Sequence, residues 1–302
     1  MSEYVPGYKN LLDTGELEIR VRILNEKLNK CTLCPHQCRA YRNQGEKGIC
    51  NAGSSTVISS YGPHYGEEDV LVGRYGSGTI FFSWCNLRCV FCQNFRISHY
   101  GEGYETKTQE LAEIMLSLQR MGCHNINLVS PTIYVPQIVE AVFIAAKRGL
   151  GIPLVYNTGG YDSMETLKLL DGIIDIYMPD LKFFDNDEAY KYTKASEYLI
   201  VASKAVKEMF RQVGTLKTDE RNIAYKGLMI RHLVMPDNLE NTKRILSFIA
   251  NEISNDTYVN IMPQYYPAHM AFNYTELSQR LSTSEYTAAI NHAKKLGLSN
   301  FL

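Results

Sequence analysis

The 302-residue sequence has no run of 18 apolar residues, so no segment reads as a membrane-spanning helix. It has no excess of either charge: 31 Lys and Arg face 32 Asp and Glu, a net charge of −1. No broad basic field is therefore expected to hold nucleic acid. The first residues, MSEYVPGYKNLL, contain no basic stretch followed by an apolar run, so no secretory leader is expected. No internal repeat, heptad run or low-complexity tract occurs. None of the seven histidines lies in an H-E-x-x-H pattern, the common signature of a zinc hydrolase. These gaps exclude secreted, membrane-spanning, collagenous and disordered classes. They leave a cytoplasmic globular protein with no membrane or nucleic-acid partner. Hydrophobic residues make up 45% of the chain, enough at this length for a large core without disulfides.

The chain does have cysteine, eight in all, and seven lie between Cys31 and Cys92, with Cys123 apart. In a reducing compartment, clustered thiols bind metal or do redox chemistry. Residues 1–60 are polar and turn-rich, show little hydrophobic periodicity, and carry Cys31, Cys34, Cys38 and Cys50. They read as a small Cys-rich segment that needs a metal to fold. Residues 61–77, with Gly62, Gly66, Gly73 and Gly76, read as a connection. The remainder, 61–302, reads as one α/β domain ending in a helix.

Apolar, β-branched runs recur at Thr79–Trp84, Asn125–Val129, Pro153–Tyr156, Ile173–Met178, Leu228–Val234 and Tyr258–Met262. Helical spacing appears between them, as at Leu111, Ile114, Met115 and Leu118 in 108–121, and again in 135–148 and 240–254. Alternation of this kind predicts parallel strands joined by right-handed helical crossovers. Six strands are too few for the eight-stranded barrel, so an open, partial barrel is expected. A doubly wound sheet fits the same pattern. In either, ligands bind at the carboxyl ends of the strands.

The first strand runs into Cys85-Asn86-Leu87-Arg88-Cys89-Val90-Phe91-Cys92, a C-x3-C-x2-C loop. Three thiolates on one short loop can each hold one iron of a four-iron cubane, leaving one iron open to a small ligand. A structural zinc would need a fourth protein ligand, and none follows within the loop.

This loop resembles that of the radical S-adenosylmethionine (radical SAM) superfamily, in the branch related to pyruvate formate-lyase activating enzymes. The resemblance extends through Ser130–Gln137, Asp180-Leu181-Lys182, Leu228–Val234 and Met262–Tyr265, and covers about residues 75–275. The upstream cysteines resemble those of an activase-like subgroup with an N-terminal four-Cys segment. The resemblance implies a partial (β/α)6 TIM-like barrel with a 4Fe–4S cluster on Cys85, Cys89 and Cys92. Its open iron would bind S-adenosylmethionine. Reductive cleavage would give a 5′-deoxyadenosyl radical that abstracts a hydrogen atom, with glycyl-radical enzyme activation as one use. A low-potential donor such as flavodoxin or ferredoxin, and a glycyl-radical enzyme or other protein as substrate, are the implied partners. The rival class is a non-catalytic iron–sulfur or zinc scaffold that keeps the barrel.

On that reading, the residues just after each strand hold the cofactor. Asn157 and Thr158 lie in Tyr156-Asn157-Thr158-Gly159-Gly160, whose glycines allow close backbone approach. Asp180 and Lys182 share one face of their strand, where they would hold the methionine end of the cofactor or tune a nearby cation. A rim salt bridge of little energetic weight is the plainer reading. Ser130 and Thr132 stand where related proteins carry a Gly-Gly-Glu-like segment. Of Arg231 and His232, which point to opposite faces, Arg231 is assigned to the lumen and His232 to the core. Gln264 and Tyr265 end the sixth strand.

Upstream, C-x2-C-x3-C-x11-C supplies four thiolates, a set that suits either zinc or a second, fully ligated iron–sulfur cluster. His36 is a further candidate ligand there.

Overall fold

Six of the apolar runs become parallel strands in the structure, a computed structural model that describes residues 4–301. The nine strands are β1 (Thr56–His64), β2 (Ser77–Phe82), β3 (Tyr104–Thr106), β4 (Ile126–Val129), β5 (Leu154–Thr158), β6 (Ile176–Pro179), β7 (Lys217–Thr218), β8 (Ala224–Leu233) and β9 (Tyr258–Met262). Parallel pairing runs β2-β4-β5-β6-β8-β9. On the far side of β2, β1 and then β3 add antiparallel. Among the described residues β2 and β9 do not pair, so the barrel is open. This is the partial (β/α)6 geometry, not a doubly wound sheet.

The helices are α1 (Gly7–Asp13), α2 (Glu16–Glu26), α3 (Asp69–Val72), α4 (Phe95–Ser98), α5 (Thr108–Arg120), α6 (Val135–Lys147), α7 (Met164–Leu170), α8 (Asn186–Thr193), α9 (Tyr198–Val213), α10 (Leu239–Phe248) and α11 (Thr283–Lys295). α5 buries the Leu111, Ile114, Met115 and Leu118 stripe. α6 starts with Pro136 in its first turn, where the missing N–H costs nothing. α11 opens on a capping box, Ser282 with Glu285. No helix among the described residues is long and apolar enough to cross a membrane.

Alternation along the strands sorts the core into two layers. Leu154 and Tyr156 of β5 face the helices and join the large outer cluster. Val155 of β5, Ile176 and Met178 of β6 and Met229 of β8 face the lumen. There they meet Val70 and Leu71 of α3, which plug the amino end of the barrel. Above this plug the inward positions turn polar, with Asn157, Asp180 and Arg231.

Two expectations change. The boundary expected at residue 60 falls inside β1, and the supposed connection 61–77 holds the end of that strand and the plug helix α3. The outer end of β1 is largely exposed, so its sequence lacks the alternation of a buried strand. The N-terminal part also packs against the barrel's helices. Tyr8, Leu17, Val21 and Leu24 belong to the same apolar cluster as Val139 and Val142 of α6, against which α2 packs. Asp175, just before β6, accepts hydrogen bonds from Tyr4 Oη (2.7 Å), Gly7 N (3.1 Å) and Leu154 N (2.9 Å), tying the N-terminus to the barrel floor.

Candidate active site

The C-x3-C-x2-C loop leaves β2 at the carboxyl end of the sheet and is pinned along its length. Arg88 N donates to Thr193 O (2.8 Å), Val90 N to Tyr192 O (2.9 Å), and Met270 N to Val90 O (2.8 Å). Buried Asn86 donates to Tyr161 O (2.6 Å). Phe91 packs between Phe183 and Tyr265. A rigid loop of this kind fixes the direction of its thiols.

Cys85, Cys89 and Cys92 all line one cavity of about 280 Å³, and none is in a disulfide. Burial pushes the Cys85 thiol up to about 11 and Cys89 further. Among the described residues, no three His, Cys, Asp or Glu side chains are disposed to hold a metal ion between them. The three thiols therefore share a cavity without converging on a single-ion point. That donor set fits one thiolate per iron of a cubane.

The rest of the lining comes from the strand ends: Ser130 after β4, Asn157 and Thr158 on β5, Asp180 and Lys182 after β6, Arg231 on β8, and Gln264 after β9. Four of these form a charged, largely buried network. Asp180 takes Lys182 Nζ at 2.6 Å and Arg231 Nε at 2.8 Å, one on each oxygen. Arg231 also donates to Asn157 Oδ1 at 2.7 Å, and its third nitrogen lies 3.7 Å from Glu67, on the segment leading into α3. Burial opposes ionisation of Asp180, but Arg231 and Lys182 outweigh it and hold the carboxyl below the usual range. Burial opposes the charge on Lys182 too, and Asp180 more than restores it. Gly160 allows this packing: at φ +78° a Cβ there would lie 2.6 Å from the Asp180 carbonyl oxygen.

Two assigned residues are used elsewhere. Thr132 is buried outside the cavity lining, and its hydroxyl donates to Asp162 Oδ1 (2.8 Å). Asp162 also accepts from Thr158 (2.6 Å) and Tyr156 (3.0 Å), so it ties the β4 and β5 ends together from behind. Tyr265 gives its hydroxyl to Leu277 O (2.6 Å) and packs on Phe91, likewise outside the lining. Of the β8 pair, Arg231 enters the cavity. His232 is fully buried between Leu181 O (2.7 Å) and Thr242 Oγ1 (2.9 Å), where burial lowers it to about 4.

Residue-by-residue reading missed Glu67, Asp162, Ser98 and His99. The last two line the cavity, and Ser98 Oγ lies 3.1 Å from Cys92 Sγ and 2.9 Å from His99 Nδ1. Their place six and seven residues beyond Cys92 was the available signal. Glu67 reaches the network only through its tertiary contact with Arg231, and Asp162 lies behind the cavity on the Thr132, Tyr156 and Thr158 hydroxyls.

The upstream cysteines lie near one another, since Cys31, Cys38 and Cys50 all act on the Cys34 thiol; Cys31, Cys34 and Cys50 are buried and Cys38 is half-buried. Burial pushes Cys34 and Cys50 up. His36 has a partner for one ring nitrogen. Its Nε2 lies 2.8 Å from the Asn86 carbonyl oxygen, in the barrel's own cysteine loop.

A family model described as the radical SAM superfamily matches residues 79–249, more than half the chain. This chain belongs to the radical SAM superfamily. Its cofactors are accordingly a 4Fe–4S cluster and S-adenosylmethionine. The uncharacterised protein MJ0674 of Methanocaldococcus jannaschii is 32% identical over 295 residues, covering 93% of this chain and 79% of that protein. A second uncharacterised protein of that organism, MJ0808, is 25% identical over 269 residues, covering 79% of this chain and 72% of that protein. Among solved structures, methylornithine synthase (PylB) superposes with a TM-score of 0.50 at 14% identity, covering 97% of this chain and 81% of that one, and shares the fold. Streptococcus suis SuiB bound to its precursor peptide SuiA gives a TM-score of 0.49 at 13% identity over 72% of this chain. This chain spans about half of SuiB, 46%.

Proposed function

We propose that this radical SAM enzyme reductively cleaves S-adenosylmethionine and directs the product radical at a hydrogen atom of a polypeptide, with a glycyl-radical enzyme as the first substrate to test. The observation that carries the cleavage is the single cavity shared by three loop thiols and the Asp180–Lys182–Arg231 network. When bound, the cluster and S-adenosylmethionine supply an electron and a 5′-deoxyadenosyl group for hydrogen abstraction.

The chain's residues do the positioning. Cys85, Cys89 and Cys92 would each hold one iron. The carboxylate and ammonium of the methionine end are zwitterionic, and Lys182 and Asp180 offer the two complementary charges 2.6 Å apart. Arg231 keeps Asp180 ionised and orients Asn157 for a ribose or methionine contact. Ser130, Thr158 and Gln264 offer further polar contacts, and Val129, Leu233 and Met262 offer an apolar wall. Largely buried, these charges act more strongly than they would at the surface.

A polypeptide substrate is supported by the rim. Tyr266, Met270 and Phe272 are exposed on the segment bonded to the cluster loop through Met270, and Tyr100 is exposed on the loop's other flank. A cytoplasmic setting and a flavodoxin or ferredoxin donor belong to the same proposal, since an exposed cluster iron needs low potential and exclusion of oxygen.

Anaerobic, iron-loaded protein supplied with S-adenosylmethionine should release 5′-deoxyadenosine and methionine when reduced with dithionite. Changing Cys85, Cys89 or Cys92 to Ala should abolish that release. Undiminished turnover in any of the three variants would falsify the reading.

A further inference from the structure

We infer that Cys31, Cys34, Cys38 and Cys50 hold a second, fully cysteine-ligated 4Fe–4S cluster, with Arg42 as its buried counter-charge. The proposal stands apart from the barrel cluster and does not rest on the cleavage chemistry above.

The backbone of 31–50 is shaped to gather sulfurs. Gln37 N donates to Cys34 O (3.0 Å), Arg39 N to Cys31 O (2.9 Å) and Cys31 N to Ala40 O (3.0 Å), closing tight turns around the first three cysteines. Gln37 and Arg39, on either side of Cys38, take positive φ of 42° and 57°, a conformation such residues rarely adopt. Gly48 is required beside them: a Cβ there would lie 2.3 Å from Cys38 Sγ. Backbone strain at two places around one thiol is held by its surroundings and marks a built site.

The charge evidence is Arg42. It is the largest fully buried side chain, 1% exposed, and no carboxylate pairs with it among the described residues. Its nitrogens donate to the carbonyls of Gly53 (2.8 Å) and Ile133 (2.7 Å), and one lies 4.0 Å from Cys31 Sγ. An arginine stays protonated, and an isolated buried charge is very costly. The anion that answers it is therefore the thiolate set. Four thiolates carry −4, and a 2+ cubane or a zinc ion leaves −2 to be offset.

Donor spacing separates the two metals. Tetrahedral zinc with 2.3 Å bonds would bring its sulfurs to roughly 3.8 Å from one another. Among the described residues no three His, Cys, Asp or Glu side chains are disposed around one ion, either here or at the barrel thiols. A cubane gives each sulfur its own iron corner, so its ligands need not converge. All four corners would be occupied, leaving no iron open to S-adenosylmethionine.

The test uses the full chain with Cys85, Cys89 and Cys92 changed to Ala, loaded anaerobically with iron and sulfide. About four irons per chain should remain, against about eight in the unaltered protein, two cubanes of four. The Mössbauer or reduced-state EPR spectrum should be that of a 4Fe–4S cluster and should not change when S-adenosylmethionine is added. In the same background, Arg42→Met should move the cluster to a more negative potential, because loss of a nearby cation favours the oxidised form, and Arg42→Lys should keep most of the original value. One zinc in place of the four irons would overturn the cluster. About four irons in the unaltered protein, all responding to S-adenosylmethionine, would overturn the site even if the altered chain failed to fold.

Discussion

The two cysteine sets are built on opposite plans. The barrel set lines an open cavity, and the charges near it come from two strand ends, those of β6 and β8, and from the segment leading into the plug helix. The upstream set is largely buried within its own turns, with one buried arginine that pairs with no carboxylate among the described residues. An open cavity with both signs of charge can receive and orient a zwitterion. A closed set facing a single cation can only hold what already sits inside it. The difference separates a place where a ligand comes and goes from a place that keeps a fixed charge. The two meet at His36, whose ring contacts the Asn86 carbonyl and packs on Tyr161.

The strongest way to break this contrast is at Asp180. If the barrel network receives the cofactor, Asp180→Asn should weaken S-adenosylmethionine binding roughly ten- to hundredfold, the cost of one charged hydrogen bond of about 1.5–3 kcal/mol. Iron content should be unchanged. It should also lower stability, because Lys182 would be left buried without its ion-pair partner and Arg231 with only the more distant Glu67 and Glu68. Isothermal titration with the iron-loaded protein reads the first effect. Unchanged affinity would reduce the network to a structural ion pair and erase its contrast with the upstream set.

A smaller effect sharpens the other side. Cys34→Ser should remove metal from the upstream set alone and lower the thermal midpoint, since ligation and folding are linked. A domain of this size loses about 2–4 °C per kcal/mol. The fall should be moderate, because α1 and α2 remain packed on α6 without the metal. Release of 5′-deoxyadenosine per barrel cluster should be preserved. Collapse of cleavage in this variant would mean that the two sets are one functional unit.

These contrasts were only partly legible in the sequence. The six parallel strands could be read because buried strands of an α/β barrel are continuous apolar runs, as in β6, where Ile176–Pro179 is buried at every position. Period-2 alternation also separated Arg231 from His232. β1 escaped because Ser59–His64 is polar and half exposed, and α2 because only Leu17, Val21 and Leu24 of its eleven residues are buried. Thr132 and Tyr265 were drawn towards the cofactor by their position after strands. Their hydroxyls instead satisfy Asp162 and Leu277, partners that no local pattern reveals. The counter-charge role of Arg42 was equally invisible, since an arginine in a polar stretch reads as solvated until its burial is known.

The mildest prediction asks how much of the upstream segment is held without metal, through Asp175 at the barrel floor. Its carboxylate accepts three hydrogen bonds, two of them from Tyr4 and Gly7. Burial nevertheless outweighs them and raises the group from an ordinary 3.8 to about 6. The folded chain thus binds this proton more tightly than the unfolded chain does. Stability from this group is full below about pH 4 and is lost as pH rises through about 6. The cost on the alkaline side is roughly 3 kcal/mol, from about two units at 1.36 kcal/mol each. Asp175→Asn cannot ionise, so its stability should lack this slope. Its amide would also face the Leu154 N–H donor, which adds a constant loss at every pH. The readout is therefore the difference in urea-unfolding free energy between the two proteins, followed from pH 4 to pH 7. That difference should shrink steadily as pH rises, because only the unaltered protein pays for a buried charge. A difference independent of pH would mean that Asp175 is ionised at no cost, and that the N-terminal clamp is looser than its hydrogen bonds make it.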